Sequence, residues 1–244
     1  MQRLEFALEF EKLATRKDGF AVIIMAAGSS SRMQGADKMF TTLGGIPVIA
    51  RTLRAFENCD LIKEIAVVTR ADKIPEIRVI AEKYAISKFV AAIEGGDCRE
   101  ASVRNGMLSY QGREEKVLIH DGARPFVSED VIRSVALALK GCDSVTCAVK
   151  CKDTLKEIGE DGFVVRTPKR ESLVSVQTPQ GVNVNEFLKA SSKKDLSAFT
   201  DDTSIMESAG FKTKIVEGDY NNIKITTPED IMTGEAILNQ IKER

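Results

Sequence analysis

The chain has 244 residues, no tryptophan and a single histidine, His120. Its content of 43% hydrophobic and 29% charged residues is typical of a globular protein. This length accommodates one large α/β domain or two small ones. The 35 basic and 36 acidic residues nearly cancel, so the overall charge does not indicate nucleic-acid binding. A lone histidine also excludes metal sites that are built from several histidines.

Three features of the sequence concern cellular location. The five cysteines lack the spacing of a zinc or disulfide framework, so we expect buried free thiols and a reducing, cytoplasmic location. The longest apolar run, residues 20–27, is far shorter than the roughly 20 residues that a membrane helix requires. Glu5, Glu9 and Glu11 argue against a signal peptide, and residues 1–19 are predicted to form a helical extension.

Short apolar runs alternate with helical patterns from Gly19 onward. Strands are predicted at residues 20–27, 64–69, 88–94, 117–120 and 144–149. The helices between them are predicted at residues 47–57, 72–85, 99–110 and 128–140, with Ser128 as the N-cap of the last. Alternation of strands and helices indicates right-handed crossovers. The predicted fold is therefore α/β, with a single Rossmann-like, mainly parallel sheet flanked by helices.

A hairpin is predicted to interrupt this alternation. Asp161 and Gly162 separate two short apolar runs, and this dipeptide is a strong hairpin indicator. Because the segment has few bulky core residues, we predict an arm at about residues 150–172 that projects from the body and needs a partner to cover it. No linker divides residues 20–244, which are predicted to form one domain. The remaining elements are strands at residues 173–177 and 212–217 and a helix at 228–241.

The segment after the first predicted strand is a candidate anion site, because open α/β sheets bind ligands beyond the carboxyl ends of their strands. Residues 26–33 are mostly small, and Arg32 and Lys38 add positive charge. Successive backbone N–H groups and these cations suit a polyphosphate. A plain glycine turn with two surface cations is the alternative. The segment matches neither the P-loop nor the dinucleotide-binding pattern.

Two further segments are predicted to reach the same edge of the sheet. Asp121 follows a strand directly and can hold Mg²⁺ beside a phosphate, and Arg124 can bind an anion, although the two could simply bridge each other. His120 faces the opposite side of that strand, where a hydrogen bond that orients the turn is expected rather than catalysis. Lys224 precedes a predicted helix start, from which it could reach a phosphate.

Together these segments resemble the family of 2-C-methyl-D-erythritol 4-phosphate cytidylyltransferases, nucleotidyltransferases of the non-mevalonate isoprenoid pathway. The sequence has AAGSSSRM before Lys38, and HDGARP from His120, where the family has A-A-G-x-G-x-R-M and H-D-x-A-R-P. Ser30 replaces the second glycine of the family loop. Further matches, which extend the resemblance from Phe20 to the chain end, are Gly95-Gly96-Asp97 with Ser102, Gln177-Thr178-Pro179-Gln180, Thr200-Asp201-Asp202 and Asn222-Ile223-Lys224-Ile225-Thr226.

The resemblance implies an enzyme that transfers CMP from CTP to 2-C-methyl-D-erythritol 4-phosphate, with Mg²⁺ as its cofactor. The residues implied to bind the nucleotide are Ala26, Ala27, Gly28, Gly96, Asp97, Ser102 and Asp121. Asp121 is also the implied metal ligand. The implied catalytic residues are Arg32, Lys38 and Lys224. The residues implied to bind the acceptor are Arg124, Thr154, Arg170, Thr178 and Thr200.

The resemblance also implies a homodimer in which the arm crosses to the neighbour, so that Thr154 and Arg170 serve the neighbour's active site. For Thr178 the neighbour's site and the site of its own chain are both open. Neither a nucleic acid nor a membrane is an expected partner. Two other functions stay open. A ribitol-5-phosphate cytidylyltransferase has the same fold, but that group tends to carry valine where this chain has Ala123. A non-catalytic nucleotide-binding regulator has no need to keep Lys38 and Lys224 together.

Overall fold

The computed structural model of the chain describes residues 19–28, 37–192 and 199–242, so Arg32 and the predicted helix before Gly19 lie outside the described residues. The strands are β1 (Phe20–Met25), β2 (Thr42–Leu43), β3 (Ile46–Pro47), β4 (Ile62–Thr69), β5 (Phe89–Glu94), β6 (Lys116–Asp121), β7 (Ser144–Lys150), β8 (Glu157–Ile158), β9 (Val164–Arg166), β10 (Val174–Asn183) and β11 (Lys214–Glu217). The helices are α1 (Val48–Asn58), α2 (Ile74–Lys83), α3 (Arg99–Tyr110), α4 (Glu129–Leu139), α5 (Val184–Ser191), α6 (Asp202–Ser208) and α7 (Pro228–Lys242).

Seven strands form the central sheet in the order β11-β7-β10-β6-β1-β4-β5. β1 pairs parallel with β4 and β6, and the pairs β4–β5 and β7–β11 are also parallel. β10 is antiparallel to both of its neighbours, β6 and β7. All six residues of β1 are buried, as expected for a parallel strand that is covered on both faces. The predicted α/β fold with a mainly parallel sheet is confirmed.

Apolar side chains form a separate core on each face of the sheet. Along β1, Val22 and Ile24 pack with α1, α2 and α4, whereas Ala21 and Ile23 pack with α3, α5 and α6. This alternation follows from the two-residue period of a strand. A smaller cluster joins α7 to Leu43 of the β2–β3 hairpin and to the segment around Ile225. The two layers of helices leave the carboxyl end of the sheet as the exposed edge at which loops converge.

The predicted hairpin is present as the β8–β9 pair. Its apolar side chains are largely exposed, with exposed fractions of 65% for Ile158, 75% for Phe163 and 63% for Val165. Exposed apolar residues on a short two-stranded ribbon are unusual for a surface that remains in water. Among the described residues, no helix is long and apolar enough to cross a membrane.

The structure differs from the sequence-based expectations in the cysteines. All five are free, as expected, but only Cys59 and Cys147 are buried, and Cys98 is exposed. The expectation of a buried thiol is wrong for Cys98 because this residue lies in a loop rather than in the core. It is the N-cap of α3, where its Sγ accepts a hydrogen bond from the backbone N–H of Ala101 at 3.4 Å.

Candidate functional site

A first cavity, of about 380 Å³, lies at the carboxyl end of the sheet beside β1 and β6. The loop after β1 contributes Ala27, Gly28 and Lys38, and β6 contributes Asp121 at its last position. The loop after β5 and the start of α3 contribute Gly96, Asp97 and Ser102, and Lys224 also lines the cavity. Ala26 is buried and does not line the cavity. The structure thus brings together, around one cavity, all of the predicted nucleotide-binding residues except Ala26.

The loop after β5 is held close to α3. The backbone N–H of Gly96 donates to Ser102 Oγ at 3.0 Å, and this hydroxyl donates to the carbonyl of Cys98 at 2.8 Å. A Cβ on Gly96 would stand only 2.5 Å from Ala101 Cβ, so glycine is required there by close approach. The loop therefore brings backbone groups and Asp97 to the cavity in a fixed position.

A second cavity, of about 470 Å³, adjoins the first. Arg124, Thr178 and Thr200, three of the five predicted acceptor-binding residues, line it. The other two, Thr154 and Arg170, lie on the arm and line neither cavity. The described chain therefore brings together only part of the predicted acceptor site.

Asp121 is the electrostatic centre of the junction between the two cavities. Its Oδ2 lies 3.0 Å from Lys224 Nζ and 3.3 Å from Arg124 Nε. Burial alone raises the pKa of the Asp121 carboxyl, but Lys224, Arg99 and Arg124 outweigh burial and hold that pKa well below its usual range. Asp121 is therefore ionised at neutral pH, and both predicted cations are within reach of the same anionic group.

His120 connects three residues of the site through hydrogen bonds. Its Nε2 lies 3.2 Å from the Arg124 carbonyl, and its Nδ1 lies 3.0 Å from Thr178 Oγ1. Burial lowers the pKa of His120 to about 4, so the ring is neutral at pH 7. Because a carbonyl only accepts, Nε2 donates to Arg124 and Nδ1 accepts from the Thr178 hydroxyl. That hydroxyl in turn accepts from the backbone N–H of Asp121 at 3.1 Å.

Two arginines that the sequence motifs do not indicate lie in the site or beside it. Arg70 lies 2.9 Å from Asp37 Oδ2 and donates to the Gly28 carbonyl at 3.5 Å, so it joins the two described flanks of the loop that precedes Lys38. Arg99 lines both cavities and contacts Asp202. The sequence pattern does not distinguish either arginine from an ordinary surface residue. Each is a single charged residue next to a helix start, where solvated side chains are common.

An open α/β sheet that holds two adjoining cation-lined cavities at its carboxyl end indicates an enzyme of the nucleotidyltransferase class. The family model for 2-C-methyl-D-erythritol 4-phosphate cytidylyltransferase, IspD, matches residues 20–240. The chain belongs to this family. The resemblance of its motifs, from the AAGSSSRM loop to the segment around Lys224, is therefore confirmed.

Individual relatives agree with this assignment. A 2-C-methyl-D-erythritol 4-phosphate cytidylyltransferase of Bacillus cereus is 43% identical over 227 residues, which are 92% of this chain and 100% of the relative. The corresponding protein of Clostridium novyi is 43% identical over 224 residues, 90% of this chain and 96% of the relative. The crystal structure of the 4-diphosphocytidyl-2C-methyl-D-erythritol synthase of Anaerococcus prevotii superposes with a TM-score of 0.79 at 34% identity, covering 91% of this chain and 96% of that one.

Proposed function

We propose that the protein transfers CMP from CTP to 2-C-methyl-D-erythritol 4-phosphate, giving 4-diphosphocytidyl-2-C-methyl-D-erythritol and pyrophosphate. The observation that carries this proposal is the junction of the two cavities, which Asp121 and Lys224 both line. CTP in the first cavity and a polyol phosphate in the second can bring their phosphates together there. Family membership selects these two substrates from the many that two such cavities could hold.

The reaction needs alignment and charge neutralisation rather than proton transfer. An oxygen of the acceptor phosphate forms a bond to the α-phosphorus of CTP. The bond from that phosphorus to the bridging oxygen breaks, and its electron pair leaves with pyrophosphate. The acceptor oxygen is already anionic, so no general base is required. This agrees with the neutral, buried state of His120, the one histidine of the chain.

The roles proposed for individual residues follow the two cavities. Ala26, Ala27, Gly96, Asp97 and Ser102 surround the cytosine, and polar groups placed for a pyrimidine reject purines because a purine leaves them unpaired. Gly28 and Lys38 hold the triphosphate. Arg32 is proposed to bind it too, on the basis of the sequence motif alone. Lys224 neutralises charge at the α-phosphate. The residues proposed to hold the acceptor within the body of the chain are Arg124, Thr178 and Thr200.

Asp121 is the proposed ligand of Mg²⁺. The fit rests on the chemistry of the donor, because this carboxylate is ionised and lies at the junction where phosphates are expected. Mg²⁺ is usually bound by one or two carboxylates together with substrate phosphates, so one carboxylate suffices. When bound, the ion supplies neutralisation and alignment of phosphate oxygens. Lys224 and Arg124 share the same carboxylate and keep it oriented towards the junction.

A homodimer that exchanges its arms is part of the proposal. The apolar residues Ile158, Phe163 and Val165 of the arm are exposed and suit burial against a second copy. Thr154 and Arg170 line neither cavity of their own chain, so crossing of the arm would bring them to the neighbour's acceptor. We also propose a cytoplasmic location, which the five free cysteines support.

Pyrophosphate release by the purified protein tests the proposed activity. CTP, UTP, ATP and GTP are each combined with Mg²⁺ and with 2-C-methyl-D-erythritol 4-phosphate or ribitol 5-phosphate. We expect release with CTP and the erythritol phosphate only. Release with CTP and ribitol 5-phosphate instead would establish the alternative acceptor. Binding of CTP without release under any combination would establish a nucleotide-binding regulator.

A further inference from the structure

The wall between the two cavities contains a cationic side chain to which the proposed reaction assigns no role. Among the residues that the structure describes, three line both cavities: Asp121, Lys224 and Arg99. A phosphoryl group that passes from a nucleotide in one cavity to an acceptor in the other must cross this junction. Asp121 and Lys224 already have proposed roles there, so Arg99 is the side chain left to explain.

Arg99 is held in place by an unusually well buried partner. Its Nη1 and Nη2 each lie 2.9 Å from a carboxylate oxygen of Asp202, which is completely buried. Asp202 is itself fixed, because its backbone N–H donates to Gln180 Oε1 at 3.0 Å. A buried carboxylate that loses its counter-ion is strongly destabilising, so the guanidinium has little freedom to leave.

The paired guanidinium keeps donors for a second anion. The bidentate contact with Asp202 uses two of the five N–H groups of Arg99, and three remain. About a third of the side chain is exposed, on the side that lines the cavities. The planar fork of an arginine matches the geometry of phosphate oxygens. Donors that are fixed before the reaction stabilise developing charge without having to reorganise.

We infer that Arg99 is a further catalytic residue, which contacts the phosphoryl group in transfer and stabilises the charge on its oxygens. Asp202 acts through Arg99 and is a positioning residue. The inference rests on the proposed function, because it identifies the transferred group as the α-phosphoryl of a nucleotide. Arg99 neither donates nor removes a proton in this step: one P–O bond forms, another breaks, and pyrophosphate leaves with the electron pair.

The first test replaces Arg99 by glutamine and compares kcat, KM and CTP affinity with those of the wild type. A contact made mainly in the transition state predicts that kcat and kcat/KM both fall by about 100-fold. The dissociation constant of CTP, measured without acceptor, is expected to stay within about threefold. Arg104→Gln is the matched control, because Arg104 lies on the same helix and lines neither cavity. It should keep wild-type kinetics.

A double variant separates catalysis from structure. Arg99→Gln leaves Asp202 buried without its cation, whereas Arg99→Gln with Asp202→Asn removes both charges and leaves two amides of similar shape. The inference is supported if the double variant has the same denaturant midpoint of unfolding as the wild type while its kcat stays about 100-fold below the wild-type value. Recovery of kcat to within about threefold would overturn the inference and make the pair purely structural. So would a wild-type kcat in Arg99→Gln, or a defect confined to CTP affinity.

The same measurements distinguish this inference from the proposed function. Pyrophosphate release by the wild-type protein with CTP and 2-C-methyl-D-erythritol 4-phosphate tests the function and does not involve Arg99. If the wild type uses a different nucleotide or acceptor, the variants are assayed with that pair. The ratio of variant to wild-type kcat then still decides the role of Arg99.

Discussion

Lys224 and Asp121 form an ion pair at the junction of the two cavities, with 3.0 Å between Nζ and Oδ2. In Lys224→Ala the carboxylate keeps Arg124, so the fold should survive, but a positive charge next to the α-phosphate is lost. We expect kcat to fall by about 10²–10³-fold, comparable to the removal of an oxyanion donor. Pyrophosphate release is the measurement, with the exposed Lys140→Ala as control. Near-normal turnover by purified Lys224→Ala would contradict the role assigned to Lys224.

His120 is predicted to make the stability of the fold depend on pH. Burial depresses its pKa from 6.5 to about 4 in the folded chain, whereas the unfolded chain keeps the ordinary value. Between these two values the unfolded chain binds a proton that the folded chain does not, so stability falls as the pH falls through this window. The contribution is complete above pH 6.5, is lost below about pH 4, and amounts to about 3 kcal/mol.

Because the chain has one histidine, its imidazole resonances can be followed without assignment. We expect NMR to show a neutral ring protonated at Nε2 from pH 7 down to about pH 5. Urea unfolding at pH 7 and pH 4.5 should show a smaller loss of stability in His120→Gln than in the wild type. A folded-state pKa near 6.5 would contradict the prediction.

The sequence predicted which single residues lie at the site only where a neighbouring motif or strand end marked them. Asp121, Lys38 and Lys224 could be chosen because each lies at a strand end or in a recognisable motif, and all three line the first cavity. Arg99 could not be chosen, since its meaning depends on Asp202, which is 103 positions away in the chain. Contacts of this kind join the first residues of two helices that are far apart in the chain, α3 and α6, and leave no local pattern.

At the scale of elements, the junction of β5 and α3 is a tightly constrained part of the nucleotide cavity. A methyl group on Gly96 would lie 2.5 Å from Ala101 Cβ and 3.1 Å from the Ala101 carbonyl carbon, so the loop that carries Asp97 must move. Overpacking of this size costs about 1–3 kcal/mol. If the added methyl group destabilises the loop conformation that binds the nucleotide, we expect Gly96→Ala to raise the dissociation constant of CTP by about tenfold or more.

Calorimetry with CTP measures this effect. Gly141→Ala is the control, because the nearest atom to its added methyl group would be 3.9 Å away. Unchanged affinity for CTP in Gly96→Ala would show that the loop does not contact the nucleotide.

The elements on the β1 side of the sheet were more predictable than those after the arm. The predicted helix at residues 99–110 coincides with α3, and Ser128 caps α4 by accepting from the N–H of Val131 at 3.4 Å. In contrast, β10 extends to Asn183, beyond the predicted end at Gln177, and α5 and α6 were not predicted. The extension is buried and includes polar side chains. Gln180 is accommodated by hydrogen bonds to Thr146 and Asp201, which no periodicity reveals.

At the scale of the whole molecule, arm exchange predicts that two inactive variants can restore each other. Lys224 belongs to the body of its chain, whereas Arg170 lies on the arm and is proposed to serve the neighbour. In a mixed dimer of Lys224→Ala and Arg170→Ala, the site formed by the Lys224→Ala body and the arm of the Arg170→Ala chain contains both defects. The other site combines an intact body with an intact arm. A 1:1 mixture that exchanges subunits freely therefore regains about a quarter of the wild-type activity.

The mixture is denatured and refolded together so that subunits exchange, and pyrophosphate release is compared with that of each variant refolded alone. Lys224→Ala mixed with Lys38→Ala is the control. Both changes lie in the body, so a mixed dimer has one defective body at each site and no activity returns. Because the exposed Phe163 is proposed to be buried by the partner, adding Phe163→Ser to both complementing chains should weaken the dimer and reduce the recovery. Equal activity of the complementing and control mixtures would place Arg170 in the site of its own chain.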